Sequence, residues 1–411
     1  MQDPIQGEVP SSSECISRTA SSVHDINNEK PPFGARRVID EANVWSQNAW
    51  DHVPPPDDQI ETITASLARQ RIAPVPDNEK SKYNENPSRH WNNFYKTNSS
   101  NFFRNRKWLH LEFPELLQAT EQEAGPITIT EIGCGAGNAV FPILASNKNP
   151  KLNLHAYDYS SQAVKLVQTN ALYTDPPVGT IHGAVWDLTS SDTLPPGVEP
   201  GTVDIVILVF VISALHPDEW GRAIANIHKI LKPGGLVLFR DYGRHDLTQL
   251  RFKAGRLLNE NFYIRGDKTR VYFFELGIVI IITVVFCQLK YSATDELALL
   301  FTGSQVPSTQ KPTETTQVVE ESEADDVTCL EASPSPPPPD SDPHNADLTT
   351  EPVSNSRSYV HPNLSTQLAH CPPHPLFTIE QLGVDRRLLV NRKRQLKMYR
   401  VWMQGKFRKL V

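Results

Sequence analysis

The sequence predicts an α/β fold built on a seven-stranded, mostly parallel sheet with helices on both faces and an antiparallel closing strand. The first observation is that strand-like apolar runs alternate with amphipathic helical runs between residues 127 and 243. The second is that these strand-like runs are almost continuously apolar, as in parallel strands buried on both faces. The third is a pair of strand-like runs in residues 376–411, which we expect to pair antiparallel and close the sheet.

The elements of the predicted core follow one another in a regular order. The strand ITITEIGCG enters a glycine turn and leads to the helix NAVFPILAS, and the strand NLHAYDYS leads to the helix SQAVKLVQTNA, which begins at a serine cap. The strands GAVWDLT and VDIVILVFVIS come next, and the helix PDEWGRAIANIHKIL stops at KPGG before the fifth strand, LVLFRDYG. A last helix, DELALLF, ends the predicted core of residues 121–302, and FTIEQLGVDRRLLV and LKMYRVWMQGKF are the closing pair.

Three further segments complete the predicted organisation. Residues 1–32 are rich in Ser, Glu and Asn without periodicity, so we expect a disordered tail. Residues 33–120 concentrate aromatic and basic side chains, and residues 88–117 are predicted to form two short helices broken at residues 97–100. Residues 303–375 hold SPSPPPP and many acidic residues, which predicts a disordered insertion.

The charge of the chain is strongly segregated. The net charge is -7, but residues 311–351 hold eleven acidic residues and one basic residue, so the rest of the chain is positive. Residues 386–409 hold ten Lys or Arg and no acid, with Tyr399, Trp402 and Phe407 between them. This pattern fits an RNA-facing surface, and it fits equally an edge strand whose positive charges prevent aggregation. In this run, Arg392, Lys393 and Arg394 are the candidate RNA contacts.

Cysteine usage and the first residues bear on the compartment. The five cysteines are scattered, odd in number and without metal-ligand spacing, so neither a disulfide framework nor a metal site is indicated. The first basic residue, Arg18, comes after the acidic residues Asp3, Glu8 and Glu14, and no apolar run precedes it. We therefore expect a cytoplasmic protein, with the nucleus as the alternative.

The glycine turn after the first core strand is the first candidate ligand site. It holds Gly133, Gly135 and Gly137, and glycines at a strand-to-helix turn let the backbone approach a ligand closely. The dinucleotide fingerprint requires glycine at position 138, where this chain has Asn138. Together with the closing strand pair, this departure favours S-adenosylmethionine over a nicotinamide dinucleotide.

Two aspartates follow the next two strands. Asp158 ends the second strand, where a carboxylate in such a fold accepts hydrogen bonds from ribose hydroxyls, and Asp187 ends the third, beside the position of an adenine ring. Either aspartate alone is more often a helix cap or turn residue. A glycine turn and two aspartates at three consecutive strand ends together predict a cofactor that carries a nucleoside.

At this point the chain resembles a known family, the tRNA N3-methylcytidine methyltransferases, which are Rossmann-like class I methyltransferases dependent on S-adenosylmethionine. The widely shared motifs are EIGCG and LKPGG, and the more specific ones are HWNNFYKTNSSNFFRNRKW, FRDYGRHDLTQLRF and NFYIRGDKTR. The resemblance covers roughly residues 33–53, 88–276, 295–302 and 377–409. Under this resemblance the N-terminal segment of residues 33–120 covers the cofactor and RNA site.

The resemblance implies roles for individual residues. Trp91 and Tyr95 would close over the cofactor, where aromatic rings can stabilise a sulfonium cation, although an ordinary aromatic core is the alternative. Arg104 or Arg106 would hold the methionine carboxylate. The remaining cofactor contacts that it implies are Gly133, Asp158, Asp187, Leu188 and Val209.

The same resemblance implies a base site and an RNA surface. Arg240, Asp241 and Tyr242 would stand at the mouth where the base arrives, beyond the carboxyl end of the fifth strand, unless Arg240 and Asp241 simply pair with each other. The residues that would position RNA are Arg251, Arg265, Asp267, Lys268 and Arg270.

The chemistry expected of this site is methyl transfer to N3 of cytosine. In-line displacement needs alignment and desolvation rather than a covalent nucleophile, so Cys134 in the glycine turn is not expected to react. Because N3 lies on the Watson–Crick edge, the target must be unpaired, as in an anticodon loop. The resemblance favours threonine tRNAs, with serine and arginine tRNAs as further candidates and an aminoacyl-tRNA synthetase as a candidate partner. The alternatives are a small-molecule or protein methyltransferase, and a catalytically silent RNA-binding scaffold.

Residues 277–294 depart from the family pattern, which otherwise runs from VYFFEL into DELALLF. The uncharged run of residues 277–289 falls short of the roughly 20 residues that span a bilayer, so we expect neither a membrane segment nor a membrane partner. We interpret the segment as an anomalous insertion, such as a retained in-frame intron.

Overall fold

The computed structural model describes residues 23–25, 41–51, 53, 59–281, 290–304 and 359–411. The strands in these residues are β1 (Val23–Asp25), β2 (Ala49–Asp51), β3 (Ile127–Ile132), β4 (Leu152–Asp158), β5 (Thr180–Val185), β6 (Val203–Val209), β7 (Leu231–Tyr242), β8 (Leu257–Asn259), β9 (Phe262–Ile264), β10 (Arg270–Tyr272), β11 (Leu276–Ile281), β12 (Lys290–Asp295), β13 (Phe377–Asn391) and β14 (Leu396–Lys409). The α-helices are α1 (Gln59–Ile72), α2 (Asp77–Asn84), α3 (Pro87–Asn98), α4 (Leu109–Glu112), α5 (Pro114–Thr120), α6 (Val140–Ser146), α7 (Ser161–Gln168), α8 (Ala171–Thr174), α9 (Trp220–Ile230), α10 (Leu247–Leu250) and α11 (Glu296–Thr302).

One sheet organises the described part of the chain, with the strand order β1-β13-β14-β7-β6-β3-β4-β5 and with β2 also paired to β13. Strands β3 to β7 run parallel, and β14 is antiparallel to both β7 and β13. The predicted Rossmann-like class, with its mostly parallel sheet and antiparallel closing strand, is confirmed. The short strands β1 and β2 extend the seven predicted strands to nine.

The apolar runs of the sequence form the centre of this sheet. β3, β4 and β6 end in fully buried residues because helices cover both faces, which explains their lack of polar alternation. Helix α7 begins at the predicted serine cap, since the Ser160 hydroxyl accepts a hydrogen bond from the Ala163 amide. Helix α9 ends at Ile230, one residue before the predicted end at Leu231, and β7 begins at once, so KPGG lies inside the strand rather than before it.

The third core strand lies earlier than predicted. β5 spans residues 180–185, whereas the sequence predicts a strand over GAVWDLT, residues 183–189. The Asp187 carboxylate accepts hydrogen bonds from the Thr189 amide (2.8 Å) and hydroxyl (2.7 Å). These bonds form a turn that ends the strand pairing before Asp187.

Among the described residues of the N-terminal segment there are five α-helices, of which α1 and α2 are not predicted. Predicted break residues 97–100 do end α3, because Ser99 has a φ of 51° that an α-helix does not allow. Helix α1 buries few apolar residues and docks through polar bonds instead, with the Gln70 amide donating to the Gln249 carbonyl at 2.9 Å.

The structure also corrects predicted boundaries of disorder. β1 lies inside the predicted tail of residues 1–32 and pairs with β13, while the rest of that tail lies outside the described residues. Residues 359–375, assigned to the insertion of residues 303–375, pack on the core: Leu364 and Leu368 are buried, and the His361 amide donates to Glu296. The predicted boundary at 375 is therefore wrong, and residues 305–358 lie outside the described chain.

The departure at residues 277–294 overlaps the hairpin of β11 and β12, which pair antiparallel; residues 282–289 between them lie outside the described part. In the ranges that the structure describes, no helix is both long and apolar enough to cross a bilayer.

A second, small sheet of β8, β9 and β10 lies beside the carboxyl end of β7. It is joined to the main sheet region by the bridge between Gly243 and Phe274 and by an apolar cluster that includes Tyr242, Tyr263 and Phe273. The turn between β9 and β10 carries Arg265 and Lys268, so this sheet sets the position of those cations beside the carboxyl edge.

Candidate active site

The glycine turn between β3 and α6 is closed over by helix α3. Gly135 has a φ of 56°, and a Cβ atom added there would lie 2.6 Å from the Tyr95 hydroxyl oxygen. At Gly133, with a φ of 67°, an added Cβ would lie 2.7 Å from a methyl group of Val211. Glycine is therefore required at both positions by backbone conformation and by the close approach of a neighbour.

Asp158, at the end of β4, joins the second strand to the glycine turn. Its carboxylate accepts hydrogen bonds from the Gly135 amide at 2.8 Å and from the Ser160 amide at 2.7 Å. Burial raises the pKa of Asp158 to about 6, although these two backbone bonds act to lower it. A buried carboxylate with lone pairs left over is suited to accept further bonds from ligand hydroxyls.

Trp91 and Tyr95 lie on α3, which packs against the turn. Their rings stack with centroids 6.3 Å apart, and Tyr95 is buried while Trp91 is half-buried. The Asn92 side-chain oxygen accepts hydrogen bonds from the Ser160 hydroxyl (2.8 Å) and the Gln162 amide (3.2 Å). These bonds fix α3 against the start of α7 and so hold both rings above the strand ends.

Arg106 and Glu131 meet beneath the same turn. Nη1 of Arg106 lies 3.9 Å from a Glu131 carboxylate oxygen and donates to the Val209 carbonyl at 3.5 Å. Burial raises the pKa of Glu131 to about 8, against the lowering effect of the Arg106 charge. Of the two arginines that the resemblance offers, Arg106 is in this cluster, whereas Arg104 is exposed.

A cavity of about 590 Å³ lies beside Asp187 at the carboxyl ends of β4 and β5. Its lining includes Ser88, Asn92, Tyr159, Ser161, Trp186 and Asp187. Leu188 is buried, and its carbonyl accepts a bond from Asn226. The volume lies within the usual range of cofactor pockets. The backbone amide of Trp186 donates to the Asp158 carbonyl at 3.1 Å, which links this cavity to the end of β4. The glycine turn and both aspartates therefore lie along one edge and fit a nucleoside-bearing group.

Phe210 is a residue of this edge that the sequence did not single out. It follows β6 directly and has a φ of 61°, which is a rare backbone conformation for an aromatic residue. Its ring lies 4.7 Å from the Tyr242 ring and 5.7 Å from the Arg106 guanidinium. No feature of the run VILVFVIS marks this position, because the strain arises only where β6 meets β7.

Arg240 differs from the position at the mouth that the resemblance implies. It is 3% exposed and lies between the rings of Trp108 (5.0 Å) and Trp402 (4.7 Å). Its guanidinium donates to the side chains of Asp385 and Gln404. Arg240 therefore joins β7 to β14 and β13, and it does not pair with Asp241, which lies on the opposite face of the strand.

Asp241 and Tyr242 end β7 beside Phe210. The Asp241 carboxylate is fully buried and accepts hydrogen bonds from the amides of Ser213 (2.9 Å) and Tyr242 (2.8 Å). Burial raises the pKa of Asp241 to about 6, with the bonds from Ser213 opposing that rise. The carboxylate thus fixes the turn after β6 against the end of β7, while the Arg265 guanidinium lies 5.4 Å over the Tyr242 ring.

The predicted RNA contacts divide into exposed and buried groups. Arg251 and Lys268 are exposed. Arg270 is 4% exposed and forms an ion pair with Glu219 at 3.0 Å, so its position differs from that of an RNA contact. Asp267 accepts bonds from the Thr269 amide and hydroxyl and so shapes the turn between β9 and β10.

The C-terminal basic run is largely paired within the protein. Arg400 bonds to Asp246 at 2.8 Å, Lys406 to Glu115 at 2.6 Å, and Arg408 to Glu380. The aromatic residue Phe407 is buried and stacks on Phe301 at 3.9 Å. The run as a whole is neither an RNA-facing surface nor an edge strand, because β14 lies inside the sheet between β13 and β7. The exposed part of the run is the turn of Arg392, Lys393 and Arg394 between β13 and β14.

Comparison with known proteins places the chain among methyltransferases. Residues 130–237 match the family model described as a methyltransferase domain. Among solved structures, an S-adenosylmethionine-dependent methyltransferase from Methanosarcina mazei is similar with a TM-score of 0.37 at 14% identity, covering 73% of this chain and 98% of that one. The strand order of the sheet itself defines the fold.

Curated relatives are more similar. The tRNA(Thr) (cytosine(32)-N(3))-methyltransferase of Saccharomyces cerevisiae is 40% identical over 91% of this chain, and the chain spans only 45% of that protein. The tRNA N(3)-methylcytidine methyltransferase trm140 of Schizosaccharomyces pombe is 38% identical over 92% of both chains. The tRNA N(3)-cytidine methyltransferase METTL2 of Danio rerio is 32% identical over 93% of this chain and 90% of that protein.

The strand order and the glycine turn joined to Asp158 define a class I methyltransferase whose cofactor is S-adenosylmethionine. The relatives make the family specific, because two of them match over nine-tenths of both chains. The chain belongs to the tRNA N3-methylcytidine methyltransferases. In the ranges that the structure describes, no three His, Cys, Asp or Glu side chains are grouped to hold a metal ion.

The contact between Gly135 and Tyr95 predicts the effect of one methyl group. Gly135→Ala should weaken the binding of S-adenosylmethionine about tenfold, because the new methyl displaces the Tyr95 hydroxyl and strains the backbone. Combining it with Tyr95→Phe, which removes that hydroxyl, should restore part of the loss. Gly125→Ala is the matched control, since Gly125 also has a positive φ but no neighbour within 4 Å. Calorimetric titration measures each affinity, and equal affinities for Gly135→Ala and Gly125→Ala would contradict the prediction.

The raised pKa of Asp158 predicts a pH dependence of cofactor binding. Hydroxyl donors favour the ionised carboxylate, so affinity should be constant above about pH 7 and should fall, approaching tenfold per pH unit, once the pH drops below the pKa of about 6. Asp158→Asn should bind more weakly and remove this step. Glu131 and Asp241 titrate in both proteins, so the difference between the two profiles isolates Asp158. Parallel profiles would show that Asp158 does not titrate with the ligand.

Proposed function

We propose that this chain transfers the methyl group of S-adenosylmethionine to N3 of an unpaired cytidine in the anticodon loop of tRNA, with threonine tRNAs as the first substrates and serine and arginine tRNAs as further candidates. The observation that carries the proposal is the continuous edge formed by the glycine turn, Asp158 and the aromatic pair Phe210–Tyr242. The names of the relatives supply the nucleotide, since the Saccharomyces cerevisiae protein is named for cytosine 32 of tRNA(Thr).

The chain's own part in the reaction is alignment. When bound, S-adenosylmethionine supplies a methyl group on a positively charged sulfur. Cytosine N3 offers an in-plane lone pair without a proton, so attack needs no general base. Asp158 and the glycine turn fix the nucleoside end of the cofactor, and α3 places Tyr95 and Trp91 over the turn, which excludes water from the line of attack.

The aromatic pair is suited to hold the base. An unpaired cytosine can stack on a ring, and stacking is worth about 1–3 kcal/mol per base. Phe210 and Tyr242 lie at the carboxyl ends of β6 and β7, where open α/β sheets bind their ligands. Arg265, over the Tyr242 ring, places a positive charge beside this pair for the phosphate of the extruded nucleotide.

Asp241 has an indirect role in this proposal. Both of its oxygens accept backbone bonds, so it positions Ser213 and Tyr242, and its charge favours the cationic ring that forms as N3 is methylated. The first effect depends on geometry and the second on charge.

The proposed activity is tested with tRNA transcripts. Purified protein and S-adenosylmethionine should produce 3-methylcytidine, detected by mass spectrometry of nucleosides, in a threonine tRNA and not in the same tRNA with uridine at the target cytidine. Assays with and without the cognate aminoacyl-tRNA synthetase show whether such a partner is needed. Methylation only of small molecules or proteins would defeat the proposal, and a protein that binds tRNA but not S-adenosylmethionine would be a scaffold.

Asp241→Asn separates geometry from charge. The amide cannot accept both backbone bonds and carries no charge, so the single-turnover rate should fall by roughly tenfold or more, while cofactor affinity changes little. Single-turnover methylation at saturating tRNA measures this rate. Asp241→Glu keeps the charge and shifts its position, so a recovery of rate in that variant would assign the effect to charge. A full rate in Asp241→Asn would remove both roles.

A further inference from the structure

A second cavity, of about 430 Å³, lies on another face of helix α3 from the cavity beside Asp187. Its lining includes Lys82, Arg89, His90, Asn93, Gly266 and Lys268. The cavity beside Asp187 takes Ser88 and Asn92 from the same helix, so α3 is a shared wall. Because a helix with its side chains is only about 10–12 Å across, groups bound in the two cavities would be near neighbours.

The cavity is electropositive. Lys82, Arg89 and Lys268 are exposed cations from three different elements: α2, α3 and the turn between β9 and β10. One acidic residue, Asp267, also lines the cavity, and its carboxylate accepts two bonds from Thr269. Glu79 lies outside the lining and pairs with Lys82. Lysine and arginine side chains that converge on one concavity favour an anion.

The position of these cations is fixed by buried contacts. Arg270 follows the turn that carries Lys268, and it bonds to Glu219 at 3.0 Å and to the side-chain oxygen of Asn84, the last residue of α2, at 3.4 Å. Arg270 is almost fully buried, so the turn and α2 are held together from within. The backbone segments that carry Lys82 and Lys268 are therefore held in a fixed relation, unlike cations scattered over a free surface.

His90 gives an independent indication of a missing partner. Its imidazole bonds to the Lys82 backbone, yet its Nε2 atom is buried and has no hydrogen-bond partner among the described residues. Burial lowers the pKa of His90, and the nearby charges of Lys268 and Arg89 lower it further. A bound anion would relieve that charge repulsion and accept a bond from Nε2 on protonation.

We propose that this cavity, the α3 phosphate cavity formed by Lys82, Arg89, His90 and Lys268, binds a backbone phosphate of the RNA substrate next to the nucleotide that is methylated. This inference rests on the proposed function and adds a fixed point for the RNA chain. A phosphate held against α3 pins the backbone beside the strand that must release its base, so binding of the loop and extrusion of the cytosine are coupled.

Removing the charges tests the site. Arg89→Gln and Lys268→Gln should each raise KM for tRNA, on the order of tenfold, and lower the slope of log affinity against log salt by about 1, with kcat and cofactor affinity nearly unchanged. Lys229→Gln is the matched control, because Lys229 is an exposed lysine at the end of α9 that lines neither cavity. If both cavity variants match Lys229→Gln in KM and salt slope, the proposal is overturned.

The phosphate itself can be identified on the RNA. Single methylphosphonate linkages, which are uncharged, are placed around the target cytidine; one position should raise KM for the wild type but not further for the Arg89→Gln Lys268→Gln double variant. Additive effects at every position would overturn the proposal. Titration with inorganic phosphate forms a separate arm, and binding of free phosphate without any effect on tRNA would assign the cavity to a small anion instead. If the wild-type protein forms no 3-methylcytidine, the proposed function is defeated. The cavity is still tested in that case, by comparing tRNA binding of the wild type and the double variant by filter retention.

Discussion

The contact on which the site depends is the close approach of helix α3 to the glycine turn. The Tyr95 hydroxyl occupies the space that a side chain at position 135 would need. From the other side, the Asp158 carboxylate accepts a hydrogen bond from the Gly135 amide. The turn is thus held between an N-terminal helix and the end of a core strand. Because Asn92 on the same helix bonds to the start of α7, no one of these parts can shift without the others.

In this arrangement, burial favours the neutral form of three carboxyl groups, while neighbouring hydrogen-bond donors and charges favour the ionised form. Asp158, Glu131 and Asp241 are buried carboxylates whose pKa values burial raises to about 6, 8 and 6. Each is stabilised by backbone amides, and Glu131 also lies near Arg106. Burying several acids costs stability, and it gives a low-dielectric edge in which a cationic cofactor would supply the missing positive charge. Functional sites commonly retain such groups at the expense of stability.

The parts of the fold that the sequence predicts are those with a local signal. The succession of core strands and helices along the chain, the glycine turn and Asp158 follow from apolar runs and from residues at strand ends. Helix α1 was missed because it docks through Gln70 rather than through an apolar stripe. The strain at Phe210 and the burial of Arg240 were missed because both arise from distant segments that meet at β7. Charge patterning misled at the C-terminus, where acids far away in sequence pair with the basic run.

The pairing of Arg240 has a consequence for folding during translation. The cation sits on β7, its aromatic cover comes partly from Trp108, and its carboxylate partner Asp385 is translated about 145 residues later. Until that late strand emerges, β7 is an open edge of the nascent sheet, and Arg240 has Glu112, at 4.0 Å, but not its bonded partner Asp385. The cofactor edge can therefore assemble early in translation, whereas the strands that complete the sheet arrive late. A chain interrupted before β13 would keep the edge of β7 exposed and unpaired.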